Sequence, residues 1–174
     1  VVAVPPKESA RLLGEEPCEL EDSPIVSVHL WFDRKVLTTP LAALLGSDAH
    51  WVFDRGALTG HEPERGQYLT VVSSGVQELL EVRGRELVER IAGELTERLG
   101  HAELLWSRVS REPYATIALR PGVERPAVET RRPGAARAGA WTDTGWPVTM
   151  ESAVRSGRTA ARFALRNAAA RVTA

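Results

Sequence analysis

Alternation of apolar and polar positions dominates the first half of the chain. From Ile25 to Phe32, Val26, Val28, Leu30 and Phe32 fall on one face, and Ser27, His29 and Trp31 on the other. That is the period of a β-strand, and the bulk on both faces predicts a strand covered on both sides. His50–Asp54 and Tyr68–Ser73 read as two more strands, joined by a polar, glycine-containing segment that fits a wide hairpin. Val1–Val4 predicts a short strand stopped by Pro5 and Pro6, which lack the N–H a ladder needs. Lys7–Leu13 reads as a helical turn, Gly14–Ser23 as an acidic loop and Pro40–Leu45 as an apolar turn.

The pattern then lengthens to a helical period. Ser74 with Gln77 resembles a capping box, opening a helical region to Leu99 with a weak point at Gly84. Leu80, Leu87, Ile91 and Leu95 lie on one stripe, and Gly100 is a stop signal. Glu103–Val109 and Tyr114–Leu119 are extended on either side of Pro113, and residues 121–139 read as a proline- and glycine-rich loop. The last element is a helix over Met150–Ala170. One of its faces carries Met150, Val154, Gly157, Ala161 and Leu165, and another carries Arg155, Arg158, Arg162 and Arg166. Thr149 is its N-cap candidate. Strands, helix, strands and helix in that order predict an α+β, mixed α/β fold.

Composition narrows the class. The 174 residues are 43% hydrophobic and 26% charged, with a formal net charge of −1, which suits a packed globular chain. Cys18 alone can form neither an internal disulfide nor a CxxC metal site, and no apolar run is long enough to span a membrane. These features, with no signal peptide in view, point to a cytoplasmic chain, and a start at Val1 hints at a missing beginning. Residues 1–119 hold 12 Lys and Arg against 19 Asp and Glu, whereas residues 120–174 hold 10 Arg against 4 acids. A basic end can serve nucleic acid or anionic lipid, attract the acidic part of the same fold, or reflect coding bias.

Several chemistries fail on spacing. No two glycines stand two residues apart, so GxGxxG cannot occur, and no Walker motif is present. There is no GxSxG, and Cys18 sits among acids that disfavour a thiolate. His29, His50, His61 and His101 never pair at metal-binding spacing; His50 and His61 with Asp48 and Asp54 could meet only across a hairpin, and no metal is expected. What remains is an aromatic-flanked turn, Trp141 to Pro147, running directly into a helix. The free N–H groups of its first turn would suit an electron-rich group. Glu151 there opposes a pyrophosphate but tolerates a ring gaining diffuse negative charge.

The run WTDTGWPVTMESAVRSGRTAA, from Trp141 to Ala161, resembles the C-terminal flavin motif of the phytoene desaturase and flavin amine oxidase superfamily. Its TGWPxTME form is most similar to the hydroxysqualene dehydroxylase branch, the squalene-associated FAD-dependent desaturases of hopanoid clusters. VVAVPP at Val1–Pro6, SPIVSVHLWFDRKVL at Ser23–Leu37, HWVFDRG at His50–Gly56 and REPYATIALRPGVERP at Arg111–Pro126 resemble the same family. The resemblance implies a substrate-domain β-sheet with packed helices, plus the C-terminal strand and helix of a Rossmann-like FAD domain whose N-terminal part is absent. It divides the chain into a returning strand of the FAD domain at 1–6, a substrate-binding part at 7–119 and the C-terminal FAD-domain loop and helix at 120–174.

The resemblance implies FAD as cofactor, contacted by Gly139, Ala140, Trp146, Pro147, Thr149, Met150 and Ala153. It implies as partners a long apolar isoprenoid substrate and the missing N-terminal FAD-binding half. It admits peripheral contact with the inner face of the membrane and gives no place to nucleic acid. The implied reaction is reductive removal of the hydroxyl of hydroxysqualene, giving squalene. His29, Trp31 and Asp33, on one strand face and its extension, are candidate substrate-lining residues, and no catalytic acid stands out. Alternatives are a related desaturase or amine oxidase with another apolar substrate, and a non-catalytic truncated homologue or partner-binding remnant. Two departures bear on the cofactor. Ala140 stands where the family pattern has an acidic residue, and Gly134–Arg137 where it has an apolar strand. An Arg buried there needs a partner.

Overall fold

The computed structural model describes residues 1–172. The element order is α1 (Pro6–Leu13), β1 (Asp22–Phe32), β2 (Leu41–Ala43), β3 (Trp51–Asp54), α2 (Arg55–Thr59), β4 (Gln67–Ser74), a 3-10 turn (Gln77–Leu79), α3 (Gly84–Leu99), β5 (Leu104–Ile117) and α4 (Met150–Val172). The chain forms two compact units, residues 23–115 and residues 1–22 with 116–174.

Residues 23–115 form a five-stranded sheet of order β2-β3-β4-β1-β5 with helix α3. β1 and β4 pair antiparallel from Ile25↔Ser74 to Phe32↔Gln67, and β3 pairs antiparallel with β4 and with β2. The alternation places Val26, Val28, Leu30 and Phe32 in the core with Val52, Leu69 and Val71, against Leu87, Ile91 and Leu95 of α3. Each such side chain contributes about 1.5–3 kcal/mol on burial, which fixes the register because a one-residue slip would expose the whole set. His29 and Trp31, on the opposite face, are half-buried.

Three local expectations change. Pro40–Leu45 contains strand β2 rather than only a turn, since Leu41–Ala43 finds a ladder partner in β3. The predicted helix over 74–99 begins at Gly84, and before it the 3-10 turn at Gln77–Leu79 starts from Val76 without a side-chain cap. β5 runs unbroken through Pro113, tolerated because β5 is the edge strand.

In the other unit, Val1–Val4 contributes one parallel bridge, Val2↔Arg137, rather than a strand. Val2 N–H donates to the Ala136 carbonyl at 2.8 Å, and Ala138 N–H to the Val2 carbonyl at 2.9 Å. Residues 7–22 group with this unit. The Glu15 carboxylate accepts from Arg137, the Leu12 carbonyl from Arg132, and the Glu21 carboxylate from Arg120. Two ion pairs, Glu15 with Arg137 and Glu21 with Arg120, thus tie the acidic loop to the basic segment. Arg137 has the partner its burial requires.

Helix α4 packs by an unexpected stripe. Ser152, Ser156 and Ala160 are fully buried, whereas Met150, Val154 and Leu165 of the apolar stripe are exposed. No helix of the described residues is long and apolar enough to cross a membrane.

Candidate functional site

The turn before α4 is built on its own backbone. Gly139 N–H donates to Ser156 Oγ at 2.9 Å, and Ser152 Oγ donates to the Ala140 carbonyl at 3.0 Å. Thr142 closes the turn from the other side, its N–H and its hydroxyl both donating to the Gly139 carbonyl. Thr144 Oγ1 lies 2.6 Å from Ser152 Oγ. The two serines are one helical turn apart, so they address consecutive residues of the Ala138–Gly139–Ala140 segment. A Cβ on Gly139 would stand 2.3 Å from Trp141 Nε1, while that indole N–H donates to the Val4 carbonyl at 3.2 Å.

Of the predicted cofactor residues, Gly139 and Ala140 are half-buried in this turn, and Trp146, Pro147, Thr149, Met150 and Ala153 are exposed around the start of α4. The Thr149 hydroxyl donates to the Pro147 carbonyl at 3.2 Å. Arg155 lies 4.4 Å above the Trp146 ring, and its Nε donates to Glu151 at 2.8 Å. The first-turn N–H groups of α4 lack intrahelical acceptors, Met150 is 88% exposed beside them, and the acidic group of that turn is neutralised by Arg155. Such a turn could hold a flavin ring edge, where negative charge is diffuse. Ser152 and Ser156, which organise it, escaped the sequence reading. The available signal was a small-residue stripe, Ser152, Ser156 and Ala160, at helical spacing.

The unit of residues 23–115 carries a second cluster. His29 and Thr70 are direct cross-strand partners, as are Trp31 and Tyr68. Tyr68 Oη lies 3.0 Å and Thr70 Oγ1 3.2 Å from His29 Nδ1. The Tyr68 ring stacks on Trp31 (centroids 5.8 Å apart, 18° between planes) and meets Trp106 of β5 edge-on at 6.5 Å. Partial burial, and then the charges of Arg108 and Arg55, push the His29 pKa down. Asp33 does not join His29 and Trp31. It is bound by Arg34 at 2.7 Å and accepts from Glu103 N–H at 2.8 Å, which together hold its carboxyl down at about 2.

The residues weighed for a metal are otherwise engaged. Asp54 accepts from Ala57 N–H and from Gln67, Asp48 pairs with Arg90, His50 Nδ1 accepts from Ser74 N–H, and His61 Nδ1 meets the Thr59 carbonyl.

The fold is mixed α+β, a five-stranded sheet with packed helices and a turn running into a long final helix. Residues 1–165 match the flavin containing amine oxidoreductases, and the chain belongs to that family, whose cofactor is FAD. Hydroxysqualene dehydroxylases of Sinorhizobium fredii and Rhodopseudomonas palustris are each 33% identical over 168 residues, covering 95% of this chain and 38% of the relative. A chloroplastic 15-cis-phytoene desaturase of an Oncidium hybrid is 26% identical over 165 residues, covering 83% of this chain and 27% of its own. A protein of Exiguobacterium proposed as a protoporphyrinogen oxidase superposes with a TM-score of 0.70 at 14% identity, over 94% of this chain and 40% of that one. That last likeness is one of fold. The chain spans well under half the length of these relatives.

Proposed function

We propose that this chain serves as the substrate-sheet and flavin-motif portion of an FAD-dependent oxidoreductase that converts hydroxysqualene to squalene. The observation that carries the reading is the Ala138–Gly139–Ala140 turn tied to the first turns of α4 by Ser152 and Ser156. It fixes the motif Trp141–Ala161 in a shape that presents backbone N–H groups beside Met150 and Ala153. Bound there, FAD would supply hydride transfer, and the chain's own part would be to orient the ring and hold an apolar substrate away from water. Thirty-three percent identity to two hydroxysqualene dehydroxylases supports the substrate. The likeness to a phytoene desaturase favours, as a second reading, desaturation of another isoprenoid. Ala140, in place of an acid, is the feature that favours a non-catalytic homologue.

The test is made on the complete protein that contains this segment. The purified holoprotein, reduced under anaerobic conditions and given hydroxysqualene, is expected to yield squalene by gas chromatography and mass spectrometry. Flavin-loaded protein that leaves the alcohol untouched overturns the substrate assignment, and a dehydrogenated isoprenoid product would favour the desaturase. Protein that takes up no FAD overturns the flavin reading.

A further inference from the structure

Helix α4 buries one stripe and leaves two. Ser152, Ser156 and Ala160 are buried, whereas Met150, Val154, Gly157, Ala161 and Leu165, spaced three or four apart, share another side of the helix. Met150, Val154 and Leu165 are 88%, 47% and 71% exposed, and a Cβ added to Gly157 meets nothing within 4 Å. Large residues at both ends and small ones at the centre make that side a shallow saddle. Glycine weakens a helix interior relative to alanine, and nothing among the described residues makes use of the missing side chain.

The remaining stripe carries arginines. Arg155 pairs with Glu151 and Arg166 with Glu129. Arg158 and Arg162, each one position after a small residue of the saddle, are exposed and have no acidic partner among the described residues. We propose that this side of α4 seats a second helix, from the part of the complete protein outside these residues. That helix crosses at Gly157 with a small residue of its own and presents carboxylates to Arg158 and Arg162. The proposal rests on the chain being a portion of a longer oxidoreductase, and not on its substrate.

The length for such a helix exists in the relatives, since the two hydroxysqualene dehydroxylases match over 38% of their own chains. Small residues four apart, as Gly157 and Ala161 are, let two helix backbones approach at the short end of about 8–10 Å. A lipid surface would gain no apolar area from a glycine and an alanine at the centre of the contact. Two guanidinium groups beside an apolar contact select an acidic edge on the incoming helix and fix its direction, because like charge there is repelled.

Gly157→Ala in the complete protein decides the matter by sign. On a free helix face alanine strengthens the helix, and the melting temperature would rise by about 1–2 °C. Against a seated helix the added methyl is overpacked, and the melting temperature is expected to fall by about 3 °C or more. Gly93→Ala in α3, where an added Cβ also meets nothing within 4 Å, is the reference for a free face. Arg158→Glu with Arg162→Glu should lower the transition as well, and by less at high salt. A rise for Gly157→Ala matching that of Gly93→Ala overturns the proposal. So does a fall accompanied by conversion of a dimer to a monomer in light scattering, which gives the face to a second copy. Binding of the parent to phosphatidylglycerol vesicles that the double arginine change abolishes gives it to a lipid surface, and also overturns the proposal. Thermal unfolding needs no turnover, so failure of the substrate assignment leaves the result standing, whereas a complete protein with no helix outside these residues overturns both readings.

Discussion

Glu15 and Arg137 form a buried ion pair: Arg137 Nη2 donates to Glu15 Oε2 at 2.5 Å, and the two side chains are 8% and 17% exposed. The pair joins the loop after α1 to Arg137, which bridges Val2 in parallel. A guanidinium so far from water is tolerable only with its partner present. Glu15→Ala should therefore destabilise the unit by about 3–5 kcal/mol, whereas the double change Glu15→Leu with Arg137→Met should lie much closer to the parent. Urea denaturation of the three proteins checks this, and a single variant as stable as the parent would remove the pair from the account.

Gly66 holds a position no other residue can occupy without movement. Its φ is +83°, and an added Cβ would stand 2.3 Å from the Phe32 carbonyl oxygen and 2.9 Å from Trp31 Nε1. Gly66→Ala should cost more than about 1 kcal/mol and lower the melting temperature. Because the clash lies at the Trp31 end of the sheet, tryptophan emission should shift as well. An unchanged thermal transition would contradict the turn geometry.

Ser156 is fully buried and accepts from Gly139 N–H. Ser156→Ala leaves that donor unsatisfied, at about 1–3 kcal/mol, and loosens the turn at the head of the flavin motif. In the complete protein the expected result is weaker FAD retention, followed by flavin fluorescence on dilution. Loss of stability with FAD affinity untouched would separate the turn from the cofactor.

Asp33 sets an acid limit of known sign. Bound first by Arg34 and then by Glu103 N–H, it titrates near 2 in the fold rather than at an ordinary 3.8. The folded carboxyl binds protons less readily than the unfolded one, so its stabilisation is complete above about 4 and is lost as pH falls through 2. Asp33→Asn should remove that part of the acid dependence. Carbon-detected NMR titration of the side-chain carboxyl measures the pKa directly.

Strand β1, the burial of Val26 to Phe32, the α3 stripe and the extent of α4 were legible in local order because each follows a single periodicity. The helix start was misplaced: the Ser74 and Gln77 spacing satisfies a capping rule, yet the chain turns at Val76 and enters α3 only at Gly84. Strand β2 is three residues that become a strand only through β3. In the site, the exposed residues of the TGWPxTME stretch were readable as a motif. Ser152 and Ser156 were not, since a serine in a helix reads as surface until the carbonyl or N–H it serves is in view. His29 and Trp31 were readable as neighbours on a strand, but Tyr68, thirty-seven residues beyond Trp31, was not.

The sequence by itself determined the mixed α+β class, because periodicity and local spacing are properties of neighbouring residues, and the run from Trp141 to Ala161 carried the resemblance to the family. Tertiary structure decided which groups meet: Arg137 with Glu15, the 139–140 turn with two buried serines, Tyr68 with His29. It also decided that the α1 segment joins the C-terminal part of the chain. Those outcomes rest on ion pairing, ladder register and satisfaction of buried donors among residues far apart in the chain, and no local pattern encodes them.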